Sequence, residues 1–252
     1  MRQKLITGRG TSLRAWNASQ KLAAVPAISA DLLVPPHARA VIVAPHPDDE
    51  VLGCGGLMHQ LAQLERSLKL ISVTDGSASH PGSTLWPVER LSVIRPQESA
   101  EALHRLDLPM HSLKWVRGGF TDGNVADQEE RLANFIQRHL LPTDVVFTTW
   151  AGDGHADHEA VGRACARACA VTGALLHEVP IWAWHWANAE DERLPWERAR
   201  KVLLDPMTIA RKRHAAHAFA SQLQGDPLIG LEPILPAGVL ERLLQPFEVV
   251  FL

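Results

Sequence analysis

Long apolar runs, an excess of either charge and paired cysteines are all missing from this 252-residue chain. Each absence removes a class of protein. No stretch approaches the ~20 consecutive apolar residues that a membrane-spanning helix needs, so an integral membrane protein is not expected. The apolar stretch 22–30 is broken by Pro26 and lies behind a polar start, too far in for a secretory signal. Lys and Arg number 25 against 28 Asp and Glu, a formal charge of −3, which argues against nucleic acid or another polyanion as partner. The single dense basic cluster, Arg211-Lys212-Arg213, reads as a solvated helix face. Three cysteines, Cys54, Cys165 and Cys169, cannot build a disulfide framework. Cys165 and Cys169 read as small core residues of an Ala-rich helix, since no second Cys pair is present to complete a metal site. A reducing cytoplasm is the fitting compartment. The composition that remains, 46% hydrophobic and 21% charged, is that of a globular protein large enough to bury a core without staples.

Residues 1–38 form a polar, then Pro-punctuated lead-in packed on the domain, in which Thr11 or Ser12 caps a short helix through Trp16. Residues 39–252 form one domain. Val41–Ala44 is a continuous apolar run, as expected of a strand covered on both faces. Beyond Asp48 a helical stripe follows, at 51, 52, 58, 61 and 64. Strands are expected at 68–73, 113–116, 144–149 and 247–252, with a long extended run at 175–186. Helices are expected over 96–106, 128–141, 155–170 and 207–223, and Pro96 marks a helix start or kink. This alternation predicts an α/β, Rossmann-like, three-layer fold with a mostly parallel sheet and helices on both faces. In such folds ligands bind outside the carboxyl ends of the strands, here just after Ala44, Val73 and Thr149.

Two of those places are dense in groups that coordinate metals or move protons. His46-Pro47-Asp48-Asp49-Glu50 follows the first strand, and His155-Ala156-Asp157-His158 follows a later one. Two His nitrogens and one carboxylate satisfy zinc's preference for three protein ligands and an open fourth position. Acids at helix starts are also explained by the helix dipole, worth about 0.3–1 kcal/mol each, but that leaves the histidines of both segments unexplained. Spacing alone does not distinguish His155 from His158 as a ligand. Gly53-Cys54-Gly55-Gly56 completes neither a phosphate loop nor G-x-G-x-x-G; its glycines let the helix pack close to the sheet.

These residues resemble the LmbE-like (PIG-L) zinc-dependent deacetylases, which remove acetyl groups from N-acetylglucosamine conjugates. The resemblance rests first on Ala44–Glu50, Gly53–Gly56 and His155–His158. Thr74-Asp75-Gly76, Arg95 with Glu98, and Ser221-Gln222 add to it, so that it runs from about residue 40 to 225. It implies that His46, Asp49 and His158 hold one Zn2+, with Asp48 as general base. It further implies His155 as oxyanion stabiliser and Asp157 as its partner. Ala156 stands where the family usually has Pro, and Phe219 where it often has His.

The chemistry is coherent by itself. Zinc activates water and polarises a carbonyl. A carboxylate beside a ligand, Asp48, takes the water's proton. A cationic His155, its pKa raised by Asp157, stabilises the oxyanion. The expected reaction is removal of an N-acetyl or other N-acyl group from an amino-sugar conjugate, whether small molecule or glycoconjugate. Arg95 meets an anion on the substrate or pairs with Glu98, and Asp75 contacts sugar hydroxyls or caps a turn. Trp182, Trp184 and Trp186 alternate along the extended run and share one face, which reads as core or a subunit contact before a sugar platform. Nothing in the sequence opposes a homo-oligomer. Other classes remain in view: a non-haem Fe2+ enzyme, whose facial triad uses the same ligand types, a Rossmann-like nucleotide-binding module, and a catalytically silent homologue.

Overall fold

A computed structural model describes residue 6 and residues 8–252. The lead-in carries α1 (Leu13–Asn17), α2 (Gln20–Ala24) and α3 (Ala30–Leu33). The body then runs β1 (Arg39–Ala44), α4 (Asp49–Gln63), β2 (Ser67–Ser72), α5 (Val88–Arg105) and β3 (Lys114–Arg117). It continues with α6 (Glu129–Gln137), β4 (Asp144–Thr149), α7 (Ala156–Thr172), β5 (Leu175–Val179) and α8 (Ala183–Trp186). The chain closes with β6 (Ala199–Leu203), α9 (Pro206–Ala216), α10 (Ala220–Leu223), α11 (Ala237–Leu243) and β7 (Phe247–Phe251).

The strands form one sheet in the order β3-β2-β1-β4-β5-β7-β6. The first five are parallel, and β7 runs antiparallel to both β5 and β6. Alternate residues of β1 serve two cores, Ala40, Ile42 and Ala44 facing one and Val41 and Val43 the other. The first core is closed by Leu57 and Leu61 of α4, Leu103 of α5 and Ile209 of α9. Leu132 and Ile136 of α6, with Val161 and Cys165 of α7, close the second. Each such aliphatic side chain contributes about 1.5–3 kcal/mol by leaving water. Strand order turns back between β1 and β4, which opens a crevice at their carboxyl ends and selects that edge for a ligand.

The glycines of α4 do what their spacing predicts. A Cβ on Gly53 would lie 2.8 Å from Cγ2 of Val179 in β5, and one on Gly56 would collide with the Leu204 side chain. Ser12 caps α1, accepting from Ala15 N at 3.2 Å. Trp16 is buried and its Nε1 donates to Trp184 O. All three cysteines are buried and free. Among the described residues no helix is long and apolar enough to cross a membrane.

Four local expectations need correction. Helix α5 starts at Val88, so Pro96 is interior. The buried stripe Leu91, Arg95, Ser99, Ala102 and Leu103 spans the proline, and its packing outweighs the ~3 kcal/mol that an interior proline costs. The extended run ends at Val179, and residues 183–186 form α8, so the three tryptophans do not share a strand face. The helix expected over 207–223 is interrupted between α9 and α10. Lys212 is not solvated: three successive residues of a helix fan around its axis, and the middle one points inward. Its Nζ lies 2.7 Å from Glu248 Oε1 and donates to Leu52 O at 2.8 Å. Strand β6, with Arg200 and Lys201 in its middle, carries no apolar alternation to reveal it. Its edge is covered by the lead-in, with Lys201 N donating to Pro26 O and Ile28 N to Lys201 O, both at 2.9 Å.

Candidate active site

The turn between β1 and α4 is held in a conformation that a non-glycine residue adopts at a cost. Asp48, the residue before α4, has φ of +119°. Such backbone strain costs on the order of 1–3 kcal/mol and persists only where surroundings over-determine it. Here Asp48 N donates to Glu50 Oε2 at 3.0 Å, while Asp48 O accepts from Val51 N and Leu52 N at 2.9 and 2.8 Å. Thr74 Oγ1 donates to Pro45 O at 2.9 Å, and Gln222 Nε2 donates to Pro47 O. The turn places the Asp48 and Asp49 side chains together in the crevice, both buried.

Three atoms meet there. His46 Nδ1 lies 3.3 Å from Asp49 Oδ2, His158 Nε2 lies 3.3 Å from the same oxygen, and the two nitrogens are 3.2 Å apart. A tetrahedral zinc site with bonds of about 2.0–2.1 Å has ligand-to-ligand edges of about 3.3–3.4 Å. The residues therefore fit a divalent ion of that size. The second nitrogen of each ring is engaged by carboxylate, which makes the facing nitrogen the one that gives up its proton to an ion. His158 Nδ1 donates to Asp153 Oδ2 at 2.8 Å. His46 Nε2 lies 3.2 Å from both Asp157 Oδ2 and Asp122 Oδ1.

Electrostatics agree with this arrangement. Burial opposes the His46 cation, but Asp122, Asp157 and Asp49 outweigh it and hold the ring's pKa well above the usual value. Burial likewise opposes the His158 cation, and Asp49 and Asp153 raise it to about 9. Asp49 is driven far below the carboxylate range: its burial is overcome by the charge and hydrogen bonds of His158 and His46. Asp122 is held at about 2, its burial overcome by its contact with His46. Asp48 goes the other way, raised well above the usual value by burial and by the negative charges of Asp49 and Glu50. Two adjacent carboxyls are thus pushed in opposite directions, the pattern that separates a ligand from a proton carrier.

Other groupings share His46. Nitrogens of His46, His155 and His158 gather within 4.8 Å, as do ligand atoms of His46, Asp122 and Asp157. In the second of these, Asp157 is already committed, accepting from Gly123 N at 2.7 Å and Val125 N at 3.2 Å. That commitment corrects the expected pairing of Asp157 with His155. The Asp157 carboxylate faces His46 from the turn after β1 and two amides from the segment after β3, which converge on it. Only the Asp157 backbone reaches His155, its N–H donating to His155 Nδ1 at 3.3 Å. His155 is therefore not held cationic. Burial and the positive charges of His158 and His46 push its pKa down to about 3, which makes it a neutral ring. With Nδ1 accepting, its proton belongs on Nε2.

These groups border a cavity of about 190 Å³ whose wall includes His46, Asp48, Asp49, His155, His158 and Trp182. Arg95 also reaches it, but it does not pair with Glu98. Its guanidinium donates to Gly76 O at 2.5 Å, Ser79 Oγ at 2.8 Å and Ser221 Oγ at 3.2 Å. Glu98 accepts from Ser221 N and Oγ instead. Asp75 lies outside the cavity wall, in an ion pair with Arg117 at 2.8 Å. Asp122 and Asp153 do not stand out in the sequence. Asp122 follows β3, a strand end outside the three places expected to hold a ligand, whereas Asp153 follows β4, which is among them, and stands just ahead of the His155–His158 segment that carries the metal-ligand pattern.

The sequence profile described as PIG-L, GlcNAc-PI de-N-acetylase, matches residues 41–169. No curated protein matches the chain by sequence. Among solved structures, a deacetylase–bog complex from the biosynthesis pathway of teicoplanin superposes with a TM-score of 0.66 at 19% identity, over 85% of this chain and 97% of that one. The A40926 pseudoaglycone deacetylase gives 0.64 at 23% identity, over 85% and 96%. A conserved protein from Thermus thermophilus gives 0.55 at 25% identity, over 81% and 84%. The two deacetylases are distant enough in sequence that their likeness speaks for the fold alone.

Proposed function

We propose, from the premise that this chain belongs to the PIG-L (GlcNAc-PI de-N-acetylase) family, that it is a metal-dependent hydrolase releasing the acyl group from an N-acylated amino sugar. The observation that carries the reading is the triangle of His46 Nδ1, Asp49 Oδ2 and His158 Nε2, with sides of 3.2–3.3 Å, on the wall of a cavity shared with Asp48 and His155. Those three residues would hold the ion, for which zinc is our assignment. When bound it supplies a Lewis acid and lowers the pKa of water toward about 7.

The remaining work belongs to side chains. Asp48, whose raised pKa suits it to hold a proton, takes one from the attacking water and returns it to the nitrogen of the leaving amine. The amide C–N bond breaks, giving a free amino sugar and a carboxylate. His155 presents Nε2–H to the carbonyl oxygen as negative charge builds there, acting as a neutral donor. Gln222 and Thr74 keep the turn around Asp48 in place through Pro47 O and Pro45 O. The free, buried cysteines suit a cytoplasmic setting.

Amine release from a panel of N-acylated amino sugars, measured with zinc-loaded protein, tests this reading. Asp48→Asn is expected to bind zinc as the native protein does while its kcat falls about 10²–10⁴-fold. Full turnover by Asp48→Asn would remove Asp48 as the base. Failure of the native protein to release amine from any member of the panel would overturn the assignment as a whole.

A further inference from the structure

Asp153 is fully buried, and its two carboxylate oxygens receive four N–H donors. Oδ2 accepts from His158 Nδ1 at 2.8 Å and from Trp182 N at 2.9 Å. Oδ1 accepts from Ile181 N at 2.9 Å and from Ala183 N at 3.0 Å. The Asp153 backbone oxygen accepts from Trp186 Nε1 as well. Ile181 and Trp182 line the cavity. We propose that Asp153 is a positioning residue that serves both halves of the site, fixing the His158 ring with Nε2 turned toward His46 and Asp49 while folding residues 181–183 into the cavity wall.

The chemistry of the group makes the coupling obligatory. Three successive amides pointing at one carboxylate cannot come from an extended strand, which is why the chain turns after Pro180. Both ends of a carboxylate accept; an asparagine at the same place accepts at one end and donates at the other. Suppose the amide nitrogen of Asp153→Asn takes the place of Oδ2. His158 must then accept at Nδ1, its proton moves to Nε2, and the lone pair facing His46 and Asp49 is lost. Suppose instead that it takes the place of Oδ1. His158 keeps its tautomer, but the amides of Ile181 and Ala183 lose their acceptor and the wall they carry is released. No orientation spares both halves. The inference rests on the proposed function only for the nature of the ion that His158 helps to hold.

Asp153→Asn is to be compared with the native protein by zinc competition against a chromophoric chelator, by KM and kcat, and by nitrogen NMR of the neutral His158 ring in metal-free protein, recorded above the pKa of about 9 that the native ring has. One supporting result is a 10–100-fold weaker zinc affinity with His158 protonated at Nε2. The other is an unchanged tautomer with KM raised at least tenfold and faster hydrogen exchange at Ile181 and Ala183. A lower Tm with tautomer, zinc affinity, KM and exchange all native would overturn the proposal and leave Asp153 merely structural. Should the variant not fold, hydrogen exchange of the native chain decides: zinc is expected to slow exchange at Ile181, Trp182 and Ala183. Slowing near Asp49 without any at these three would overturn it. Absence of zinc binding by the native protein would defeat the proposed function, whereas the tautomer and exchange readings in metal-free Asp153→Asn still judge Asp153.

Discussion

His46 and His158 stand on either side of one point and are supported in opposite ways. His46 turns Nε2 toward two carboxylates from different segments, Asp122 and Asp157, each at 3.2 Å, and its side chain keeps 14% of its surface open. Among the described residues His158 Nδ1 has Asp153 alone, at 2.8 Å, and the ring has no exposed side-chain surface. A single N–H cannot make two full hydrogen bonds at once, so the loss of either partner leaves His46 with the other. His158 has no reserve. Redundancy therefore lies on the ring nearer solvent, and single-point control on the ring that is locked into the core and tied to Trp182.

The harshest way to break this comparison is to remove ligands. Asp49→Ala and His158→Ala are each expected to weaken zinc binding by more than about 100-fold, beyond the 10–100-fold typical of groups that only orient a ligand. Native affinity in either, measured by chelator competition, would show that the three atoms do not share an ion. A smaller effect separates the two supports of His46. Asp122→Asn alone should cost less than about tenfold in affinity, and Asp122→Asn combined with Asp157→Asn about 10–100-fold. Equal losses in the single and double variants would refute the redundancy.

The mildest test is pH. In metal-free protein the His158 pKa is raised from 6.5 to about 9, so it gives stability that is complete below pH 6.5 and lost as pH rises through about 9. Metal must displace that proton, and the one on His46 Nδ1 as well, so apparent affinity should fall at least about tenfold per pH unit below pH 9. Calorimetry across pH 6–9 should find the Tm of metal-free protein falling as pH rises, with the gap between loaded and metal-free protein widening. A gap independent of pH would mean that the ion displaces no proton from His158 or His46.

Much of the site is legible in residue order because its parts are short and local. His46 and Asp49 are brought together by one tight turn, and the acids and histidines of 155–158 sit where a helix begins after a strand. What could not be read is which atoms face which. Asp157 looks like a partner for His155 because it is near in sequence, yet its carboxylate turns to Gly123 N, Val125 N and His46. The cationic His155 expected from that pairing gives way to a neutral ring. Asp75 and Arg95 were equally open in sequence. The fold sends the first outward to Arg117 and the second into the cavity wall.

By itself the sequence determined the parallel half of the sheet, the crevice at the carboxyl ends of β1 and β4, and the residue types gathered there. Continuous apolar runs and helical stripes report burial on one or both faces, and that information is local. Tertiary structure alone decided the interior Pro96, the buried Lys212, the covered edge at β6, the turn that carries Trp182, and the partners of each histidine. Those outcomes depend on donors and acceptors supplied by remote segments: Glu248 for Lys212, Pro26 for Lys201, Asp153 for residues 181–183. No local pattern encodes a hydrogen bond whose two ends meet only when the whole chain has folded.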